Sequence, residues 1–386
     1  MPAYTAALER DIALAAQWWQ EAGGPPIETV FFGGGTPSWL PIPLMRGLIK
    51  ALQRGFRLAG DCEITLEANP EDVDAERAAA WRAMGFNRLS IGAQAATHTL
   101  LRWLGRRHGW RAVERAVARA RAQGFDNLNL DLIYGLPGLS LEAWRATLRA
   151  ALELEPDHLS LYPLAVEQGT PLARQVQGGQ AAAPDPDHAA DQYELACELL
   201  AEHGFQHYEL SNWARNGETM QDHTGLPRHG CRHNLAIWRN ETYFGLGVGA
   251  HGYLAGRRYA RVAGLEAYRQ AIWEAKASHG PLAAAAWTEI VSPQRSMEES
   301  LLLGLRLLQL GVSEAEFAAR HGVSLRTALG SRLESLAAGG WVELRDGALR
   351  LRRKAWLVAN RVLVELLEGL QVPDAGALQP QAGRSK

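Results

Sequence analysis

Met84-Gly85-Phe86-Asn87-Arg88-Leu89-Ser90-Ile91-Gly92 holds the end of a helical run, a glycine and the start of a short apolar strand. The glycine suits the left-handed position just past a helix end, where a side chain would clash. The phrase returns as Gln123-Gly124-Phe125 before Leu128-Asn129-Leu130-Asp131-Leu132, and again as His203-Gly204-Phe205 before Tyr208-Glu209-Leu210. Further strands are read at 29–32, 63–66 and 158–162. Helical patterns lie between them, for example 72–84 behind the candidate cap Asn69 and Pro70. Strands alternating with helices argue for a parallel sheet under helices. Poor internal identity favours an α/β barrel over helical or propeller repeats.

Past Trp213 the pattern changes. Residues 216–230 are rich in Gly, Pro and His and read as a long loop. Two glycine-rich strands are expected near 244–254, then a helix over 265–277. A second compact unit follows, with helices at 299–309, 313–321 and 325–338. Two short alternating runs joined by Asp346-Gly347 then give a strong hairpin signal, and a last helix completes a winged-helix outline. The expected divisions are a barrel over 1–215, loop and strands closing it over 216–290, a mainly helical, winged-helix-like domain over 296–370, and a disordered tail over 371–386.

With 386 residues the chain is long enough for two or three domains around a large apolar core. Hydrophobic residues at 47% and charged residues at 21% fit a globular chain. A formal net charge of −2 supplies no field that would hold nucleic acid or anionic lipid by bulk attraction. The sequence shows no apolar run of about 18 residues, the length a bilayer span needs. Met1-Pro2-Ala3-Tyr4 leads into a charged amphipathic stretch without a signal-peptide pattern. The three cysteines, Cys62, Cys197 and Cys231, are scattered and odd in number, which argues against a disulfide framework and makes a reducing cytoplasm the expected location.

In a parallel α/β barrel, function gathers where the carboxyl ends of the strands converge. The first strand runs into Gly33-Gly34-Gly35-Thr36-Pro37-Ser38, and three glycines let a backbone approach a ligand closely and present N–H groups to it. The next ends in Glu67-Ala68-Asn69-Pro70, the following one in Gln94, then Asp131 and, one strand on, Ala165-Val166-Glu167-Gln168. Glu67 and Asp131 follow mostly apolar runs, where a carboxylate must be paired or face a ligand. The structural alternative is an ion pair with Arg88, Arg106 or Arg107, and for any single residue the two readings are about even. Convergence of several strand ends shifts the weight toward a shared small-molecule site. Such a site suits a ligand with an amino acid head and a ribose, since carboxylates accept from ammonium and hydroxyl groups.

The segments 32–38, 66–70, 86–94 and Asn129-Leu130-Asp131-Leu132-Ile133-Tyr134-Gly135-Leu136-Pro137-Gly138 occur in an order that resembles the radical-SAM family of oxygen-independent coproporphyrinogen III oxidases and heme chaperones. His158-Leu159-Ser160-Leu161-Tyr162-Pro163-Leu164 and Gly247-Val248-Gly249-Ala250-His251-Gly252 extend the match over nearly the whole chain. The resemblance implies a partial barrel of six βα units that binds S-adenosylmethionine beside a [4Fe–4S] cluster. It carries the cofactor contacts to Gly34, Gly35, Thr36, Glu67, Gln94, Arg106, Asp131, Ala165 and His251. Arg106 would meet the cofactor's carboxylate and Asp131 a ribose hydroxyl. Tyr208-Glu209-Leu210-Ser211-Asn212-Trp213 and Cys231-Arg232-His233-Asn234-Leu235-Ala236 look like the heme-chaperone branch. That branch carries His-Asn-x-x-Tyr-Trp, associated with heme. Here it reads His233-Asn234-Leu235-Ala236-Ile237-Trp238, with isoleucine for the tyrosine, and His233 remains able to ligate iron.

The family holds its cluster with three cysteines spaced C-x-x-x-C-x-x-C after the first barrel strand, and that spacing does not occur in this sequence. Pro2-Ala3-Tyr4-Thr5-Ala6-Ala7-Leu8 resembles the helix that follows the cluster loop. The expectation is therefore that Met1 is internal and that the first strand and cluster loop lie upstream, leaving a barrel without one edge strand. The rival is a cluster-free descendant that binds heme only. The expected task is to bind heme and transfer it to respiratory or other heme proteins. The alternative is oxidative decarboxylation of coproporphyrinogen III.

His223, His229, Cys231 and His233 fall close together but fit no common zinc spacing, so the loop is read as a heme or partner surface rather than a zinc site. Trp81, Trp110 and Trp144 read as ordinary helix packing. The basic residues Arg345, Arg350, Arg352, Arg353 and Lys354 of the hairpin raise a binding module as a second function class, offset by Glu334, Glu343 and Asp346.

Overall fold

The computed structural model describes residues 1–215 and 227–371. Five parallel strands lie side by side in chain order: β1 (Ile27–Phe32), β2 (Leu58–Ala68), β3 (Arg88–Gln94), β4 (Leu128–Tyr134) and β5 (His158–Pro163). The sheet is completed by β6 (Phe205–Glu209) and β7 (Asn212–Arg215) in the order β1-β2-β3-β4-β5-β7-β6, and it curls into a half-barrel. The strand after the third copy of the Gly-Phe phrase, β6, runs in the same direction as the first five but is separated from β5 by β7. After β6 the chain turns back at once, and β7 pairs antiparallel with both β6 and β5.

Side chains alternate across a strand, and here the alternation separates two chemistries. Ile64, Leu66, Leu89, Ile91, Leu128, Leu130, Leu132, Leu159 and Leu161 are buried in the main core against the surrounding helices. Trp81 and Trp144, from the helices Ala75–Met84 and Leu141–Leu152, are fully buried in that core, and Trp110 packs on its edge. The opposite face carries Phe31, Glu67, Arg88, Ser90, Asn129, Asp131, Ser160 and Tyr162 around an interior cavity. Gly85, at φ 101°, ends the helix before β3 in the left-handed conformation that the opening phrase requires.

A second sheet, β8 (His251–Leu254), β9 (Arg257–Arg261) and β10 (Ala285–Ile290), is antiparallel in the order β10-β9-β8. Only the last part of the 244–254 stretch is a strand, apart from a single bridge between Tyr243 and Tyr253. The preceding stretch follows the first helix, Pro2–Glu21, where Phe244 packs edge-on against Trp19 and the Gly247 N–H donates to Asp11. Asp11 also meets Arg261 at 2.7 Å and accepts from the Tyr268 hydroxyl at 2.8 Å, so a fully buried ion pair ties the first helix to this sheet. The 265–277 helix stops at Glu274, because Ala275 is extended.

The C-terminal part builds its own core from the helices Pro293–Gly304, Glu314–His321, Leu325–Ala338 and Ala359–Leu367. A small sheet of β11 (Val312–Ser313), β12 (Val342–Arg345) and β13 (Ala348–Leu351) joins them. Its first helix begins six residues earlier than read, at Pro293, because Ser292 accepts from the Arg295 N–H and proline fits the first turn. Ser313, read as helical, is the cap of the next helix. The hairpin's basic side chains are engaged within the protein: Arg350 donates to the Gln309 carbonyl, Arg353 pairs with Glu194, and Lys354 reaches the Gly339 carbonyl. Nearly all of the expected tail lies outside the described residues.

Candidate functional site

At the carboxyl ends of the strands Gly35, Thr36, Glu67, Gln94, Arg106, Asp131 and Ala165 line one cavity of about 360 Å³. The loop after β1 is glycine for a reason visible in the distances. A side chain at Gly33 would stand 2.9 Å from a Glu67 carboxylate oxygen, and Gly34, at φ 82°, donates its N–H to that carboxylate at 3.2 Å. On β3, Gly92 leaves room for the Gln94 amide, which lies 2.8 Å from where a Cβ would be, and Gln94 itself sits at φ 64° after a bulge. Glu67, Gln94 and Asp131 thus come from three neighbouring strands to one space.

Two sequence readings change here. Asp131 is not at a strand end: β4 continues through Leu132-Ile133-Tyr134, and Asp131 lies mid-strand opposite Gly92. His251 does not line the cavity. It opens β8, is exposed, and its carbonyl packs over Gly245, because the segment before it is held by the first helix rather than by the barrel mouth.

Neither carboxylate forms an ion pair with an arginine, although the Arg88 charge lowers Asp131 from farther away. Among the described residues no basic side chain lies within 4.0 Å of Glu67 or Asp131, so the expected alternative of a structural ion pair with Arg88, Arg106 or Arg107 is not formed. Burial pushes the Glu67 carboxyl above its ordinary range, the Asp131 charge pushes the same way, and the Gly34 N–H opposes both. Burial also raises Asp131, against the donors Ser90 Oγ at 2.9 Å and Asn129 Nδ2 at 2.8 Å.

Behind this mouth lies a second cavity of about 520 Å³, which shares Glu67, Ser90, Asp131 and Tyr162 with the first. Its far wall is the helix Arg232–Trp238, which contributes His233, Asn234, Ile237 and Trp238. That helix hangs from β2: the Glu63 carboxylate accepts the N–H groups of Arg232 and His233, each at 3.1 Å, and the Cys231 thiol at 3.6 Å. The His233 ring stacks on Phe31 at 5.0 Å, and its Nδ1 meets Thr29 Oγ1 at 2.9 Å. Burial lowers its pKa, so the imidazole is neutral near pH 7, the form that ligates iron. Beneath the helix, Asn129 Oδ1 can only accept, so His158 Nδ1 donates to it at 2.6 Å. His158 Nε2 then accepts from the Tyr208 hydroxyl at 2.7 Å, and that hydroxyl takes the Cys231 N–H at 3.1 Å. Burial keeps His158 neutral, which this relay requires. Sequence reasoning did not single out Ser90, Asn129 or Ser160; their spacing of two residues from Arg88, Asp131 and Tyr162 was the signal.

The Radical SAM superfamily profile matches residues 4–151, and the HemN C-terminal domain profile matches residues 291–358. The heme chaperone HemW of Bacillus subtilis is 35% identical over 343 residues, covering 89% of this chain and 86% of its own. The chain belongs to the HemW family of radical-SAM proteins. A HemW of Synechocystis is 38% identical over 305 residues, 79% of this chain and 69% of that one. Among solved structures, the coproporphyrinogen III oxidase HemN from Escherichia coli superposes with a TM-score of 0.76 at 22% identity, over 94% of this chain and 82% of that one. At that identity the likeness concerns the fold.

The two cofactors that the family implies fare differently. The mouth fits S-adenosylmethionine: two carboxylates without an ion-pair partner and a glycine cradle could accept from an ammonium and from ribose hydroxyls and lie near a sulfonium charge. The cysteines described here do not fit a [4Fe–4S] cluster. Cys62 is in β2, Cys197 in the helix Pro186–Glu202 and Cys231 at the head of the Arg232–Trp238 helix, each a free thiol. Burial pushes their pKa values up to about 11, 12 and 12, so none is a thiolate near neutral pH. Among the described residues no three His, Cys, Asp or Glu side chains form a metal-holding group. His223, part of the weighed zinc cluster, lies outside them. No described helix is long and apolar enough to cross a membrane.

Proposed function

We propose that this chain is a heme chaperone, binding heme in the deep cavity and passing it to acceptor heme proteins, respiratory ones among them. The observation that carries the reading is His233. It is a neutral imidazole, fixed through Nδ1 and by its ring stack on Phe31, with no hydrogen bond to Nε2 among the described residues, and it lines a cavity of about 520 Å³. A proximal histidine needs this arrangement: one nitrogen oriented by a second group, the other available to iron. Relatives of similar length bear the name heme chaperone. Ile237, where the family motif has tyrosine, lines the same cavity and offers a porphyrin an apolar edge in place of a hydroxyl.

In the mouth, Glu67 would hold the ammonium of S-adenosylmethionine and Asp131 a ribose hydroxyl. Arg106 would take the carboxylate, Gly34, Gly35, Thr36 and Gln94 would frame the nucleoside, and Ala165 would close the far side. Bound there, the cofactor would supply a fixed positive charge against two carboxylates that the protein leaves without an ion pair. Ser90 and Asn129 hold Asp131 in place through its two oxygens, so its direction does not depend on the ligand.

Heme titration followed by the Soret band tests the reading. The wild type is expected to saturate at one heme, and His233→Ala to shift the band and weaken binding at least about tenfold, as loss of an axial ligand should. An unchanged band and affinity in His233→Ala would remove His233 from the site. Glu67→Gln is expected to weaken S-adenosylmethionine binding in equilibrium dialysis while leaving the Soret titration in place.

A further inference from the structure

Arg88 opens β3 on the cavity side and is 2% exposed. A guanidinium is always charged, and burying it without a partner is costly, so a buried arginine is nearly always found in an ion pair. Among the described residues the Arg88 side chain makes no hydrogen bond and no ion pair, its Nε has no partner, and Glu63 and Asp131 attract it only at longer range. The neighbouring carboxylates are already occupied. Glu63 is committed to the first turn of the Arg232–Trp238 helix, and Asp131 has one oxygen on Ser90 and the other on Asn129. Beside Arg88 in register on β2, Thr65 is fully buried and its hydroxyl is also without a partner. An apolar side chain at this position would serve the fold about as well. The charge therefore awaits an anion that enters the cavity.

Building on the heme reading, we propose that the deep cavity is a carboxylate-binding subsite in which Arg88 receives a porphyrin propionate. The guanidinium fork matches a carboxylate in two parallel N–H···O bonds, and the dry surroundings strengthen them. His233 and Trp238 line the same cavity as Arg88, so the iron end and the acidic edge of one porphyrin would be held by different walls. A second carboxylate source is S-adenosylmethionine itself. The mouth offers that group Arg106, which lines the upper cavity but not the lower one, whereas Arg88 lines the lower one alone.

The experiment is a pair of Soret titrations on the full chain, with ferric protoporphyrin IX and with its dimethyl ester, alongside S-adenosylmethionine dialysis. The wild type is expected to prefer the free acid by about tenfold, the scale of one charge-assisted contact. Arg88→Gln should abolish that preference, and Arg88→Lys should restore part of it, lacking the fork. Equal binding of both porphyrins by the wild type overturns the proposal without needing any variant to fold, and leaves the heme reading standing. A preference that survives in Arg88→Gln overturns it as well. Loss of S-adenosylmethionine binding in Arg88→Gln with the porphyrin preference intact assigns the carboxylate to the nucleoside and overturns it too. If the wild type binds neither porphyrin, the heme reading fails first.

Discussion

Toward the helices, β3 and β4 present Leu89, Ile91, Leu128, Leu130 and Leu132; toward the cavity the same strands present Arg88, Ser90, Asn129 and Asp131. Buried parallel strands usually read as continuous apolar runs because both faces are packed. Here only one face is. The outer face is solved by shape and area, and any leucine-sized residue serves it. The inner face is left with charges that the protein does not bring into ion pairs, which does little for the fold and is useful to a ligand.

The largest expected effect strikes the outer face. Leu130→Ala, at a fully buried position, should cost about 2–5 kcal/mol in urea unfolding. It should leave the porphyrin preference of whatever protein remains folded unchanged. Arg88→Met on the inner face should leave stability nearly unchanged, within about 1 kcal/mol, because relief of the buried guanidinium is offset by loss of its longer-range attraction to Glu63 and Asp131. Destabilisation by Arg88→Met would show that the cavity charge is already satisfied, and would erase the contrast between the faces.

A smaller effect separates the faces by pH. The Asp131 carboxyl is raised by burial, so its contribution is fully present below the ordinary carboxylate range and is lost as pH rises through the raised value. Asp131→Asn should therefore gain stability relative to the wild type at about pH 8 compared with about pH 4, the ordinary carboxylate value. The same urea midpoints at both values decide it, and a ratio independent of pH would remove the argument. The smallest effect has the reverse sign. His207, stacked on Trp213 at 3.9 Å, is pushed down to about 3 by burial, so it favours the folded state above about pH 6.5 and opposes it as pH falls. His207→Phe keeps the stack and should flatten the loss of Tm between about pH 7 and pH 5 by a few degrees.

The sequence made the five parallel strands legible because each is announced by a glycine, a helix end or an apolar run that local sterics require. The strand after Gly204 carried the same announcement, but nothing local told that Ser211 would reverse the chain and send β7 back beside β5. The mouth residues were legible because Glu67, Gln94 and Asp131 interrupt apolar runs. Asp131 was placed one turn of pleat too far along, since Leu132-Ile133-Tyr134 reads equally as strand or as exit. His251 followed a glycine-rich segment whose path is set by contacts with Asp11 and Trp19, more than 200 residues away in the chain, and no local pattern reports that. Arg88 was visible only as a cation near two acids; its lack of a close partner is a property of three-dimensional packing.

The Glu63 carboxylate that suspends the Arg232–Trp238 helix sits 170 residues before His233. Contacts of that sequence separation form late in folding, after the loop between them has been closed. A nascent chain would hold all seven strands of the sheet, the last ending at Arg215, before it holds the imidazole. Cargo uptake is thereby postponed until the chain has been assembled at least as far as residue 233 of 386, so a reactive porphyrin meets a sheet already paired or no site at all.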